Sequence, residues 1–442
     1  MFDRIGIRRL DDGAYPRRVR LQVQATLETI KGYKDFVRDN PMSDKFEVLG
    51  FNHLELWCSD AMAAWKAFSL GLGMPRIARS ELSTGNTRFS SHVIGSGTVK
   101  LAFTAPYGYY TAENTEPSHP GALDFDPDSA LNFVQKHGTA VRTVGITVAN
   151  ATEAFEVSVR NGATPVNPPK FIQDQNGAAE IAEVSLYGDT VIRWVSYPTE
   201  NAYSGIFLPG YQDTVDSMPE GFGISRIDHV VGNVRNILPQ ANAMIAMTGF
   251  HEFAEFTSED VGTVESGLNS LVLANNLENV LLPINEPVEG RRQSQIETYL
   301  QHNKGPGVQH VALKTDDIFT TIERMRERGE EWGFELMRRP SDQYYHELPA
   351  RLGEALSPDD YQWIEKLGLL ADKDDQGILL QIFTTPVTHR PTLFLEIIQR
   401  IGCEIEAPNG QLEQKGGCGG FGKGNFKELF KSIEDYEKKF VK

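Results

Sequence analysis

At 442 residues, 40% hydrophobic and 23% charged, the chain is long enough for two or three domains and composed like an ordinary globular protein. Sixty acidic residues against 43 basic ones leave a formal charge of −17, which argues against nucleic acid and anionic membrane surfaces as partners. No run approaches the ~20 apolar residues of a membrane span, and three cysteines (Cys58, Cys403, Cys418) are too few for a disulfide framework, as suits a reducing, cytoplasmic setting.

The first twenty residues carry six arginines with Asp3, Asp11 and Asp12, no serine and no apolar centre. That is not a secretory signal; organellar targeting stays open, and residues 1–46 read as a loosely ordered arm. An N-terminal domain over 47–205 begins with a predicted strand, Phe51 to Leu56, bearing His53. A helix-like stretch around Ala63 to Phe68 follows, then the pair Gly73-Met74 and an apolar run from Leu101 to Pro106. Gly138 to Ile146 opens a second strand, and its helix ends at Gly162. Proline and glycine mark a linker at 206–222. The C-terminal domain, 223–442, then repeats the scheme: Ile227 to Gly232 with His229, Ala241 to Ile245, Gly249-Phe250, and Leu281 to Pro287. Gly305 to Gly329 aligns with Gly138 to Gly162 without a gap over 25 residues. Ile378 to Thr384 and Thr392 to Ile398 complete the strands, bounded by Gly377, Pro386 and Pro391. A strand–helix–strands unit thus occurs four times, twice per domain, in an α+β fold. Beyond a glycine-rich hinge at 416–424, Asn425 and Glu428 suggest a capping box. Phe426, Leu429, Phe430 and Ile433 recur at helical spacing, predicting a mobile lid helix over 425–442. Lys423 precedes Gly424 rather than Ser or Thr, so the glycines are no phosphate loop.

Chemistry enters where the repeat breaks. His310 stands where the first half has Thr143, so only the second half carries a histidine on the first strand of both units. Glu396 lies inside an otherwise apolar strand, where a bare carboxylate costs several kcal/mol unless paired or metal-bound. Its first-half counterpart falls near Arg193 and Trp194. A lone strand histidine is more often a hydrogen-bonded core residue than a ligand, but equivalence across the repeat outweighs that reading. His229, His310 and Glu396 together form a facial triad suited to non-haem Fe(II), with zinc as the competing ion. The N-terminal domain should bind no metal, leaving His53 as a core residue.

Five runs carry a resemblance: Arg226 to Val234, Gly307 to His310, Asp375 to Thr384, Pro391 to Arg400 and Gly419 to Phe426. They resemble 4-hydroxyphenylpyruvate dioxygenases from about Tyr33 onward, and the segment Gly402 to Gly417 is similar to the plant or algal type. The resemblance implies the vicinal oxygen chelate, glyoxalase-like fold of paired βαβββ modules, with Fe(II) on His229, His310 and Glu396. Gln381 would share in catalysis. Ser270, Asn285, Gln295 and Gln309 would hold substrate or orient neighbours. Phe383, Phe394, Phe421, Asn425 and Phe426 would complete the pocket, with Phe394 the one most readily read as core packing. The implied activity converts 4-hydroxyphenylpyruvate and O2 to homogentisate and CO2, in tyrosine and phenylalanine catabolism, by a homodimer whose terminal helix closes the pocket. Two rivals are a hydroxymandelate synthase, which oxidises the side chain of the same substrate, and a non-catalytic or zinc-binding protein of the same fold.

Overall fold

A computed structural model describes residues 26–108, 125–214, 221–262, 267–290, 292–406 and 412–437. Each half of the chain builds one curled mixed sheet from two βαβββ modules. In the first, the strand Val48–Trp57 leads to the helix Ala61–Leu72 and the strands Arg76–Ser80, Phe89–Ser96 and Val99–Pro106. The helix starts where the Asp60 side chain accepts from the Ala63 N–H, and it stops at Gly73, whose φ of 63° lies in the left-handed region. The second module repeats this with Ala140–Val148, the helix Ala151–Arg160, and the strands Pro165–Asp174, Gly177–Tyr187 and Thr190–Ser196.

The two opening strands pair antiparallel at the centre of the sheet, and each pairs parallel with the last strand of its own module. The C-terminal half follows the same rule. Ile224–Asn233 and Gly307–Thr315 are the antiparallel centre, flanked in parallel by Leu281–Val288 and Phe394–Gly402. His251–Phe256, Gly267–Ala274, Gly377–Phe383 and Leu370–Lys373 complete the eight strands. This is the paired-module arrangement read from the repeat. The fourth module is more elaborate than its counterpart. Its helix Ile318–Trp332 is broken at Gly329 (φ 67°), and two further helices, Asp342–Leu352 and Pro358–Leu367, precede the next strand.

Three sequence expectations need correction over the described residues. Residues 26–46 are not a loose arm, since they are pinned to the C-terminal half. The Leu27 N–H donates to Asn242 Oδ1, Lys31 N–H to Glu255 Oε2, and Arg38 pairs with Glu278. Residues 1–25 lie outside the described part. The expected linker also packs back: Phe207, Leu208 and Tyr211 are buried, and the Tyr211 hydroxyl donates to Ser91 Oγ at 3.0 Å. Finally, Cys403 and Cys418 are joined as a disulfide. Counting cysteines could not reveal this, because it is the pairing of Glu404–Glu406 with Leu412–Gln414 that draws the two ends of the segment together.

Candidate metal centre

The sheet register explains how three distant residues meet. Ala312 is the register partner of His229 on one side and of Glu396 on the other. Residues opposite one another on adjacent strands share a face, as do residues two apart along a strand. His229, Glu396 and His310 therefore project from the same concave face. Their ligand atoms lie within 4.8 Å of one another. His229 Nε2 is 3.1 Å and His310 Nε2 3.5 Å from the same Glu396 oxygen, Oε2.

Both imidazoles are held from behind. His229 Nδ1 lies 2.8 Å from Asp228 Oδ1, and His310 Nδ1 lies 3.2 Å from Gln309 Oε1. Each contact favours the tautomer that leaves Nε2 free towards the centre. Burial opposes charge on His229, yet the facing Glu396 carboxylate and Asp228 raise its pKa. At His310 burial prevails and the pKa falls. Burial pushes the Glu396 carboxyl up, but His229 and His310 outweigh it and bring it down to about 2. A buried carboxylate facing two imidazole nitrogens, with no lysine or arginine paired to it among the described residues, is a donor set that fits a divalent cation.

The N-terminal half shows the alternative filling of the same register. His53 and Arg193 flank Gly145 as His229 and Glu396 flank Ala312, and Thr143 takes the place of His310. The Arg193 guanidinium lies 3.1 Å from His53 Nε2, 2.8 Å from Glu55 and 2.7 Å from Glu183. A permanent side-chain cation thus occupies this half's ligand cluster, beside a cavity of about 210 Å³. The cavity over the triad is smaller, about 50 Å³.

Ser270, Asn285, Gln381, Phe383, Phe421 and Phe426 line the triad cavity. Phe421 meets the His229 ring edge-on with centroids 5.2 Å apart. Four expected residues lie elsewhere. Gln295, Gln309 and Phe394 border a separate cavity of about 30 Å³. Gln309 and Phe394 act on His310 instead: Phe394 stacks on its ring at 4.8 Å. Asn425 stands directly before the terminal helix, Phe426–Glu437, as the last residue of a short 3-10 turn, Lys423–Asn425. Its side chain is fully buried and accepts from the Tyr344 hydroxyl at 2.8 Å. The cavity also uses Val231, Phe256, Val272, Leu379 and Leu429. Those apolar residues carry no signal separating pocket from core.

The chain is 54% identical over 411 residues to 4-hydroxyphenylpyruvate dioxygenase of Plectranthus scutellarioides, covering 92% of this chain and 93% of the relative. It is 52% identical to the Arabidopsis thaliana protein of the same name, with 92% of each covered, and 34% identical to that of Dictyostelium discoideum, covering 87% and 97%. No protein-family model matches. Among solved structures, a triple mutant of 4-hydroxymandelate synthase from Streptomyces coelicolor shares the fold, with a TM-score of 0.68 at 24% identity over 88% of this chain and 99% of that one.

Proposed function

This chain belongs to the 4-hydroxyphenylpyruvate dioxygenase family, and we propose that it converts 4-hydroxyphenylpyruvate and O2 to homogentisate and CO2 with Fe(II) held by His229, His310 and Glu396. The observation that carries the reading is the convergence of two imidazole nitrogens and one buried carboxylate at the wall of an aromatic cavity. Bound there, Fe(II) would supply open positions for a 2-oxo acid and for O2, so that the oxo acid, losing CO2, could give its electrons to O2.

The remaining tasks fall to side chains. Ser270 and Asn285 are register partners, and Asn285 sits four residues along its strand from Leu281, the partner of His229. Four residues of extended chain span about 13 Å. That separation suits a para-substituted ring whose oxo acid faces the triad and whose phenol hydroxyl reaches the Ser270–Asn285 pair. Gln381, buried in the cavity wall on the strand beyond Glu396, offers an amide to the substrate's polar atoms. Phe383, Phe421 and Phe426 enclose the ring and keep water from the reacting atoms.

The terminal helix acts as the lid in this reading. Phe426 and Leu429 face the cavity, while Phe430 is buried among Phe256, Leu268 and Ile296. A cavity of about 50 Å³ leaves little room for a phenylpyruvate, and a shift of the helix carrying Phe426 and Leu429 would widen it. Homodimer assembly belongs to the same reading. Oxygen uptake with 4-hydroxyphenylpyruvate tests the proposal: it should require Fe(II), fail with Zn(II), and be lost in Glu396→Gln. Uptake in that variant at the parental rate would remove Glu396 from the metal site.

A further inference from the structure

The internal duplication supplies a comparison within one chain. Each half has a polar residue just before its strand histidine, Asn52 before His53 and Asp228 before His229. Each also has a polar residue four positions beyond the Arg193/Glu396 site, Tyr197 in one half and Arg400 in the other. In the N-terminal half these form a neutral pair. His53 Nδ1 lies 2.7 Å from Asn52 Oδ1, and Asn52 Nδ2 donates to the Tyr197 hydroxyl at 3.1 Å.

In the C-terminal half the same positions form a buried ion pair. Arg400 Nε donates to Asp228 Oδ2 at 2.9 Å and Nη2 to Oδ1 at 2.7 Å, with both side chains essentially inaccessible. Asp228 Oδ1 also faces His229 Nδ1. The remaining guanidinium nitrogen, Nη1, donates to the carbonyl oxygens of Cys418 (2.6 Å) and Gly420 (2.7 Å) in the glycine-rich loop. That loop carries Phe421, whose ring lies 5.6 Å from the Arg400 guanidinium carbon and edge-on to His229. Buried ion pairs are weak sources of stability compared with apolar packing. The neutral Asn52–Tyr197 pair shows that this fold does not need charge at these positions.

We propose that Asp228 and Arg400 are a positioning pair that assembles the metal ligand His229 and the aromatic roof Phe421 as one unit. Asp228 holds His229 with its proton on Nδ1, leaving Nε2 to the metal. Arg400 fixes that carboxylate and ties it to the loop bearing Phe421. His310 is backed by the neutral amide of Gln309, and among the described residues no such link joins it to the roof. The inference rests on the Fe(II) reading above.

The test is the double variant Asp228→Asn with Arg400→Tyr, which installs the first half's own pair in the second. Fe(II) affinity is read by chelator competition, and loop order by amide hydrogen exchange of residues 416–424 in the metal-free protein. The expected result is a 10–100-fold loss of Fe(II) affinity together with faster exchange in the loop. Parental affinity, or loop exchange unchanged, overturns the proposal. Should the double variant fail to fold, Arg400→Lys decides. It keeps the charge but loses the fork, so affinity should stay within about threefold while the loop exchanges faster; unchanged loop exchange overturns the proposal. Parental protein that binds no Fe(II) at the triad refutes the functional reading itself, a separate outcome.

Discussion

Glu278 is one of the anchors that hold residues 26–46, and the residue preceding the glycine-rich loop, to the catalytic half. Its carboxylate, nearly inaccessible, pairs with Arg38, with Lys415 Nζ at 2.8 Å and with His251 Nε2 at 3.4 Å. Burial pushes the Glu278 carboxyl up, but hydrogen bonds from His251, Lys415 and Arg38 outweigh it and lower the pKa from 4.5 to about 2. A shift of that size corresponds to roughly 3 kcal/mol. Arg38 and Lys415 are partly exposed, so solvent screening reduces this to about 1–2 kcal/mol. Glu278→Gln keeps the volume and removes the charge. The folded-state pKa is depressed, so the stabilisation is fully present above pH 4.5 and fades as pH falls towards 2. Urea unfolding of both proteins should show a gap of about 1–2 kcal/mol at pH 7, shrinking by about two-fifths at pH 3.5. Equal stability at pH 7, or a gap that does not change with pH, would refute the reasoning.

Other expectations follow from single contacts. His53→Ala should lower the melting temperature while leaving kcat within a few-fold of parental, because His53 is fully buried but belongs to the half holding Arg193. Phe430→Ala empties the most buried position of the terminal helix and should accelerate amide exchange over 425–437 with only a small loss of global stability, as a separately opening lid requires. A loss of about 3–5 kcal/mol in global unfolding would mean that the helix unfolds with the domain and is no lid. Gly97→Ala places a Cβ 2.2 Å from the Ser225 carbonyl oxygen at a φ of 55°, where the two halves touch. It should lower thermal stability by more than the ~1 kcal/mol typical of a glycine turn, and a neutral result would mean the halves separate readily there.

The fold and the triad were legible for one reason: the chain repeats itself, and the repeat is carried by the strand positions that set the sheet register. Aligning Gly138 with Gly305 places His310 opposite Thr143, and the sheets confirm that correspondence through Ala312 and Gly145. Family motifs located further residues but could not say what each touches. Gln309 and Phe394 sit in the expected motifs yet meet the ring of His310 rather than the cavity over the triad. Asn425 stands immediately before the terminal helix, as the capping pattern places it, but the buried Tyr344 hydroxyl donates to its side chain, a contact the pattern could not show. Asp228 and Arg400 escaped notice because an acid beside a histidine and an arginine at a strand's end look like surface residues. Only packing shows that both are buried and paired.

The most direct test of the central claim is identification of the product formed by the Fe(II)-loaded protein from 4-hydroxyphenylpyruvate under 18O2. The account expects homogentisate carrying one labelled oxygen on the ring and one in the carboxylate, released with one equivalent of CO2. Product hydroxylated on the side chain with the ring intact, 4-hydroxymandelate, would contradict it, as would no oxygen-dependent product at all.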